Sequence, residues 1–195
     1  MRTIWEKMIT AVALVWLAVF AMVSAPGTAN AQSTTAVGSA VSIDAAVDET
    51  LREFFWQIRG GKEVVQKAAA VLVFPKVYKA GIGIGGEFGE GAMRQRGRTV
   101  DYYNVISASF GFQLGAQARS IIICFMTLDS LYSFQRINGW KAGVDGSVAI
   151  LTVGVGASID TNRIVDSVVG FTFDGKGLMY NLTLEGTKIS RITPY

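Results

Sequence analysis

The chain has 195 residues, 18 Lys and Arg against 15 Asp and Glu, no histidine, one cysteine and 22 glycines. Without histidine there is no Ser-His-Asp or Cys-His dyad, no His-containing zinc site and no imidazole acid–base chemistry; a single cysteine excludes thiolate clusters and an intrachain disulfide. With 50% hydrophobic and 17% charged positions, the chain suits one domain with a sizeable core, and neither disorder nor polybasic nucleic-acid binding fits.

Arg2 and Lys7 precede an apolar run from Met8 to Val23, followed by Ser24, Pro26, Gly27 and the small-x-small triplet Ala29-Asn30-Ala31. This is the pattern of a secretory signal peptide cleaved after Ala31. The run is shorter than the ~20 residues that span a bilayer, although an uncleaved N-terminal anchor is the alternative. Losing Arg2, Lys7 and Glu6 with this segment leaves the charge nearly balanced, so anion binding would need local clustering. Residues 32–43 are small and polar and read as a flexible leader, and one domain follows over residues 44–195.

Asp44 is placed to cap a helix reaching about Arg59, in which Val47, Leu51, Phe54, Phe55 and Ile58 form one apolar stripe. Gly60-Gly61 ends it, and a second short helix runs from Lys62 to about Ala69. Val71 to Phe74 reads as a buried strand that Pro75 terminates. From Ala80 onward the texture is β-branched, aromatic and glycine-rich, which predicts antiparallel strands. They fall at 80–86, 101–110, 111–118, 120–126, 147–157, 164–173, 178–184 and 187–192. The last-but-one and its predecessor alternate apolar and polar residues, as a half-exposed hairpin does, with Asp174-Gly175-Lys176-Gly177 as the turn. Between the strands, Thr127 caps a third helix over 128–137, stopped by Asn138-Gly139.

Several patterns bear on chemistry. Gly81, Gly83 and Gly86 satisfy G-x-G-x-x-G after an apolar strand, but the following Glu87-Phe88-Gly89-Glu90-Gly91 is a poor helix and sets carboxylates where phosphates would sit. Alternating glycines that let another backbone lie flat on the strand are the simpler reading. Lys76 and Lys79 after Pro75, with Arg94, Arg96 and Arg98 after the glycine-rich strand, would form one cationic cluster if the chain returned on itself. Such a cluster suits lipid phosphates; a solvated turn neutralised by Glu87, Glu90 and Asp101 is the alternative. Trp56 points nearly opposite the first helix's apolar stripe, with Arg52 and Arg59 one turn away on either side. That arrangement fits a lipid interface, or else a covering layer or an arginine stacked on the ring. Cys124 lies in an apolar strand and reads as an inert buried thiol. Ser107 and Ser109 lack a base, whereas a carboxylate hydrolase using Glu87, Glu90, Asp101 or Asp145 stays open.

The run from Ala70 to Gly86, with Gly89-Glu90-Gly91, Tyr102-Tyr103-Asn104, Ser109 to Gln117, Phe125-Met126-Thr127 and Gly143 to Val148, resembles the SYLF domain family, in its bacterial, secreted branch. The resemblance spans about residues 45–193. It marks Lys76, Lys79, Gly81, Gly83, Gly86, Gly111, Gln113, Gly115 and Gln117 as pattern positions and names no catalytic residue. Eukaryotic relatives bind phosphoinositide membranes and, in yeast, actin, so the resemblance implies a membrane-surface or protein-binding role.

The expectation is an α+β domain, an antiparallel, glycine-rich curled sheet or sandwich with about three helices. It is expected to be non-enzymatic, to need no cofactor or metal, to bind no nucleic acid, and to act in the periplasm or outside the cell. Its expected partner is an anionic lipid or membrane surface, met by Lys76, Lys79, Arg94, Arg96, Arg98, Arg52, Trp56 and Arg59. A structural protein of the cell envelope, meeting a protein or polysaccharide through the sheet and Gln113 and Gln117, is the other reading.

Overall fold

The computed structural model describes residues 38–111, 117–151, 158–160, 164–174, 177–178 and 184–195. Helix α1 (Ala40–Gln57) starts five residues earlier than a cap at Asp44 would set it, because Ser39 is the cap: its side chain accepts from the Ser42 N–H. Ile43, Val47, Thr50 and Phe54 are buried at helical spacing, and Leu51 and Phe55 flank them half-buried. Asp44 instead docks the helix onto the sheet, accepting from Thr99 Oγ1 at 2.6 Å and Tyr102 OH at 3.0 Å. Gly60 separates α1 from α2 (Gly61–Lys67) with φ +82°, and a Cβ there would collide with Ile159 O, so only glycine fits.

Strand β1 (Ala70–Gln95) passes through Pro75 rather than stopping there. Between Phe74 and Val77 the register with β3 slips, setting Pro75 and Lys76 against Ser120 alone; a bulge tolerates proline because its missing N–H leaves no ladder bond unmade. Ser120 Oγ donates to Pro75 O at 2.7 Å. The glycine motif therefore lies within one long strand and opens no helix. β2 (Arg98–Gly111) returns after a two-residue turn in which Arg96 (φ +50°) and Gly97 (φ +77°) both take left-handed backbone, the type I′ geometry that matches strand twist.

β3 (Gln117–Phe125), α3 (Leu128–Gln135), β4 (Trp140–Lys141), β5 (Ala149–Ile150), β6 (Val168–Asp174), β7 (Gly177–Leu178) and β8 (Lys188–Ile192) follow. Thr127 caps α3 as expected. The sheet order is β4-β8-β2-β1-β3-β6-β5, with β7 on β6. Among the described strands the pairings are antiparallel except β5 with β6, so the sheet is mixed, and it is strongly curled. The expected strand at 164–173 begins only at Val168, and of those at 147–157 and 178–184 the described strand residues are Ala149–Ile150 and Gly177–Leu178. Most of the expected strand at 111–118, and Gln113, lie outside the described residues. Phe173 pairs with Leu178 and Asp174 with Gly177, which places the hairpin where its turn residues put it.

The curl brings β1 onto itself. A Cβ at Gly89 would lie 2.7 Å from Lys76 O, and one at Gly91 would collide with Val73 O. Close backbone approach is thus served by these two glycines, while at Gly86 the nearest atom, Ser107 O, is 3.7 Å away. Two cores result. Leu72, Phe74, Ile121, Ile123 and Val168 face α3, Trp140 and Ile189, whereas Val71, Val73, Ile122, Cys124 and Phe171 face α1 and α2. Side chains alternate between the two cores along each central strand, so β6 is buried on both faces and is not the half-exposed strand expected.

Candidate functional site: an apolar groove with a cationic rim

The five cations expected at one end of the sheet are separated. Lys76 lines a crevice with Glu49 and Glu53 on one side of α1, and Lys79 Nζ lies 3.9 Å from Glu87 Oε1. Arg94 is mostly buried and committed to α1: its Nη2 donates to Asp48 Oδ1 at 2.6 Å and to Asp44 O at 3.2 Å. Arg96 stands exposed at the hairpin tip, seven residues and roughly 20 Å of strand beyond the point where Gly89 meets Lys76. Arg98 is exposed opposite Gln95. The cluster fails because a continuous strand spreads its side chains along its length, and because helix carboxylates claim the cation nearest to them.

A different set converges. Along α1, Asp48, Leu51, Arg52 and Phe55 recur at i, i+3, i+4 and i+7, and along α2, Lys62, Val65 and Gln66 do so at i, i+3 and i+4. Both faces look onto one groove of about 580 Å³, closed on its third side by Val71, Arg94, Arg96 and Gly97. Its apolar residues Leu51, Phe55, Val65 and Ala68 are half-buried, and Val71 is buried. Around them Arg52, Lys62 and Arg96 are exposed, so the groove has an apolar lining and a cationic rim. Asp48 is the carboxylate among the lining residues, and it is occupied by Arg94. Sequence reasoning named Arg52 and Arg96 in separate groups and missed Lys62. The spacing of Lys62 to Val65 on α2 was visible, but the approach of α2 to the hairpin tip was not.

Trp56 projects outward, 86% exposed. Arg59 is exposed at the helix end, where its backbone bridges to Ser158. Gln117 lies in β3 opposite Lys79.

The carboxylates considered for hydrolysis are engaged elsewhere. Glu87 accepts from Arg119, Glu90 from Gly38 N at 2.8 Å and Asp145 from Lys141 N at 2.7 Å, while Asp101 pairs with Arg191 at 3.2 Å. Cys124 is fully buried, and burial pushes its thiol up to about 12, far from a thiolate nucleophile. Among the described residues no group of three or more Cys, Asp and Glu side chains could hold a metal ion, and no helix is long and apolar enough to cross a membrane.

A curled sheet with helices on both faces defines an α+β domain, and the groove beside it is its candidate binding site. Residues 106–193 match the Ysc84 family model, described as a Las17-binding protein actin regulator, which agrees with the SYLF resemblance. The match runs from within β2 through β8 and includes α3; α1, α2 and the residues that line the groove precede it. No curated protein matches the chain.

Proposed function

We propose that the protein is exported, loses residues 1–31, and binds anionic lipid at a membrane surface of the cell envelope. The observation that carries this reading is the groove: exposed Arg52, Lys62 and Arg96 surround an apolar recess, one helical turn from the outward Trp56. Cations at this density collect charge-assisted bonds from phosphate oxygens, and an exposed tryptophan rests well at the boundary between head groups and chains. Arg59 and Arg98 add exposed positive charge. Arg94 lines the groove with its guanidinium held by Asp44 and Asp48, Lys79 faces Glu87, and Lys76 lies in the separate crevice with Glu49 and Glu53, so the three are not counted among the binding cations.

The test is sedimentation of the processed protein with neutral and anionic vesicles at low and physiological salt. Selective pelleting that salt weakens is expected, and the triple charge reversal Arg52→Glu, Lys62→Glu, Arg96→Glu is expected to abolish it. Salt-independent pelleting, or pelleting that survives the triple reversal, would sink the assignment.

The family description favours a second reading, a module that binds a protein partner. That reading predicts capture of one envelope protein by crosslinking in the native envelope, unaffected by the triple reversal and without vesicle binding.

A further inference from the structure

We infer that the groove between α1, α2 and the β1–β2 turn takes the acyl chain of a single-chain amphiphile with a phosphate head, one molecule per protein. The inference rests on the lipid reading above and narrows it from a surface to a molecule.

A domain that only touches a surface needs its cations and aromatic side chain on one exposed plane. Here Leu51, Phe55, Val65 and Ala68 lie half-buried in a recess, where a flat surface cannot reach them but an inserted chain can. The recess, about 580 Å³, falls within the roughly 300–1,000 Å³ of sites that hold one small ligand. Its walls are two helices joined through only Ile58, Arg59 and Gly60, and Gly60 is pinned against Ile159, which restricts how far the helices can part.

Charge selects the head group. Arg52, Lys62 and Arg96 come from three different elements and surround the same opening, and three cations suit the several oxygens and charge of a phosphate better than one carboxylate does. Asp48 would oppose an anion, but its carboxylate is held by Arg94. An acyl chain alone would leave the cations unanswered, and a phosphate alone would leave the apolar lining uncovered.

The probe is palmitoyl lysophosphatidic acid below its aggregation concentration, titrated calorimetrically into the processed protein. Saturable binding of one molecule per protein is expected. Glycerol 3-phosphate and monopalmitoylglycerol, which carry the head and the chain separately, should each bind at least about tenfold more weakly. Lys62→Glu with Arg96→Glu, both at exposed positions, should weaken the complete probe by about tenfold or more. Leu51→Trp, which fills the recess, should block the probe; if it fails to fold, the exposed pair carries the test. Glycerol 3-phosphate binding as tightly as the complete probe, or affinity indifferent to the exposed pair, would overturn the inference. Vesicle pelleting without binding of the monomeric probe would overturn the groove and leave the surface reading standing, whereas neither kind of binding would overturn both.

Discussion

Arg119 Nη2 lies 2.5 Å from Glu87 Oε2, and each of these side chains is only 10% exposed. Arg119 sits on β3 opposite Val77, in the first third of β1, while Glu87 lies in the last third of the same strand, opposite Ser107 on β2. The pair therefore ties the two ends of the curl together. Removing one partner strands a desolvated charge, at a cost of about 3 kcal/mol or more. Glu87→Ala should lower unfolding stability by that amount in urea titration, and Glu87→Leu with Arg119→Met should recover much of it. A Glu87→Ala protein as stable as the parent would remove the pair from any role in holding the curl.

Gly89 and Gly91 make the second hold on the curl. Gly89→Ala would force a Cβ to within 2.7 Å of Lys76 O, and backbone cannot yield as a side chain does. The expected loss is about 2 kcal/mol or more, with a worse outcome for Gly91→Ala. Gly86→Ala, in the same strand but with its nearest neighbour 3.7 Å away, should stay within about 0.5 kcal/mol. Thermal unfolding of the three proteins compares them directly, and equal losses would contradict the close approach.

Arg94 and Arg96 are two residues apart and should separate stability from binding. Arg94→Ala removes the contacts to Asp44 and Asp48 and should cost about 2 kcal/mol. Arg96→Ala should change stability by less than about 0.5 kcal/mol, since its side chain is exposed and both residues meet the same positive φ. Vesicle pelleting should fall for Arg96→Ala while its urea midpoint holds. The reverse pattern would exchange their roles.

Cys124 predicts an alkaline limb in the stability curve. Burial raises its thiol from an ordinary value near 9 to about 12, so the folded chain holds this proton more tightly than the unfolded one. The contribution is intact below about pH 8.5 and is lost as pH rises towards 12, by at most roughly 1.4 kcal/mol per pH unit. Tyr103, whose hydroxyl burial also raises, adds to the same limb. Urea unfolding between pH 8 and 11 should show the fall, and Cys124→Ala should flatten it without abolishing it. Parallel curves for the two proteins would contradict the assignment.

Processing supplies a direct check on the first residues. N-terminal sequencing of the exported protein should begin at Gln32; an intact Met1 in the membrane fraction would replace the signal peptide with an anchor.

Features legible in the sequence were those set by neighbours in the chain. The stripe from Val47 to Ile58, the Thr127 cap and the Asp174 to Gly177 turn follow from helical period, side-chain capping and local φ preferences, and the structure places each where those rules do. The α+β class followed from the same periods, and the SYLF resemblance from runs of residues. Other features misled for a definite reason. Pro75 normally ends a strand, but a bulge opposite Ser120 absorbs its missing donor. Alternation in β6 suggested one wet face, yet α1 and α2 on one side and the side chains of Val148, Ile150 and Leu184 on the other cover both.

By itself, then, the sequence determined the three helices, the α+β class, the absence of imidazole chemistry and the stock of cations, because composition and short-range geometry do not depend on the rest of the chain. Only the tertiary structure decided which cations meet. The curl of β1 and the docking of α1 through Asp44 and Asp48 use up Arg94 and separate Lys76 from Arg96. The packing of α1 on β1 and of α2 beside α1 then gathers Arg52, Lys62 and Arg96 around an apolar recess, since charges distant in sequence become neighbours only when burial of the apolar faces between them fixes the path of the chain.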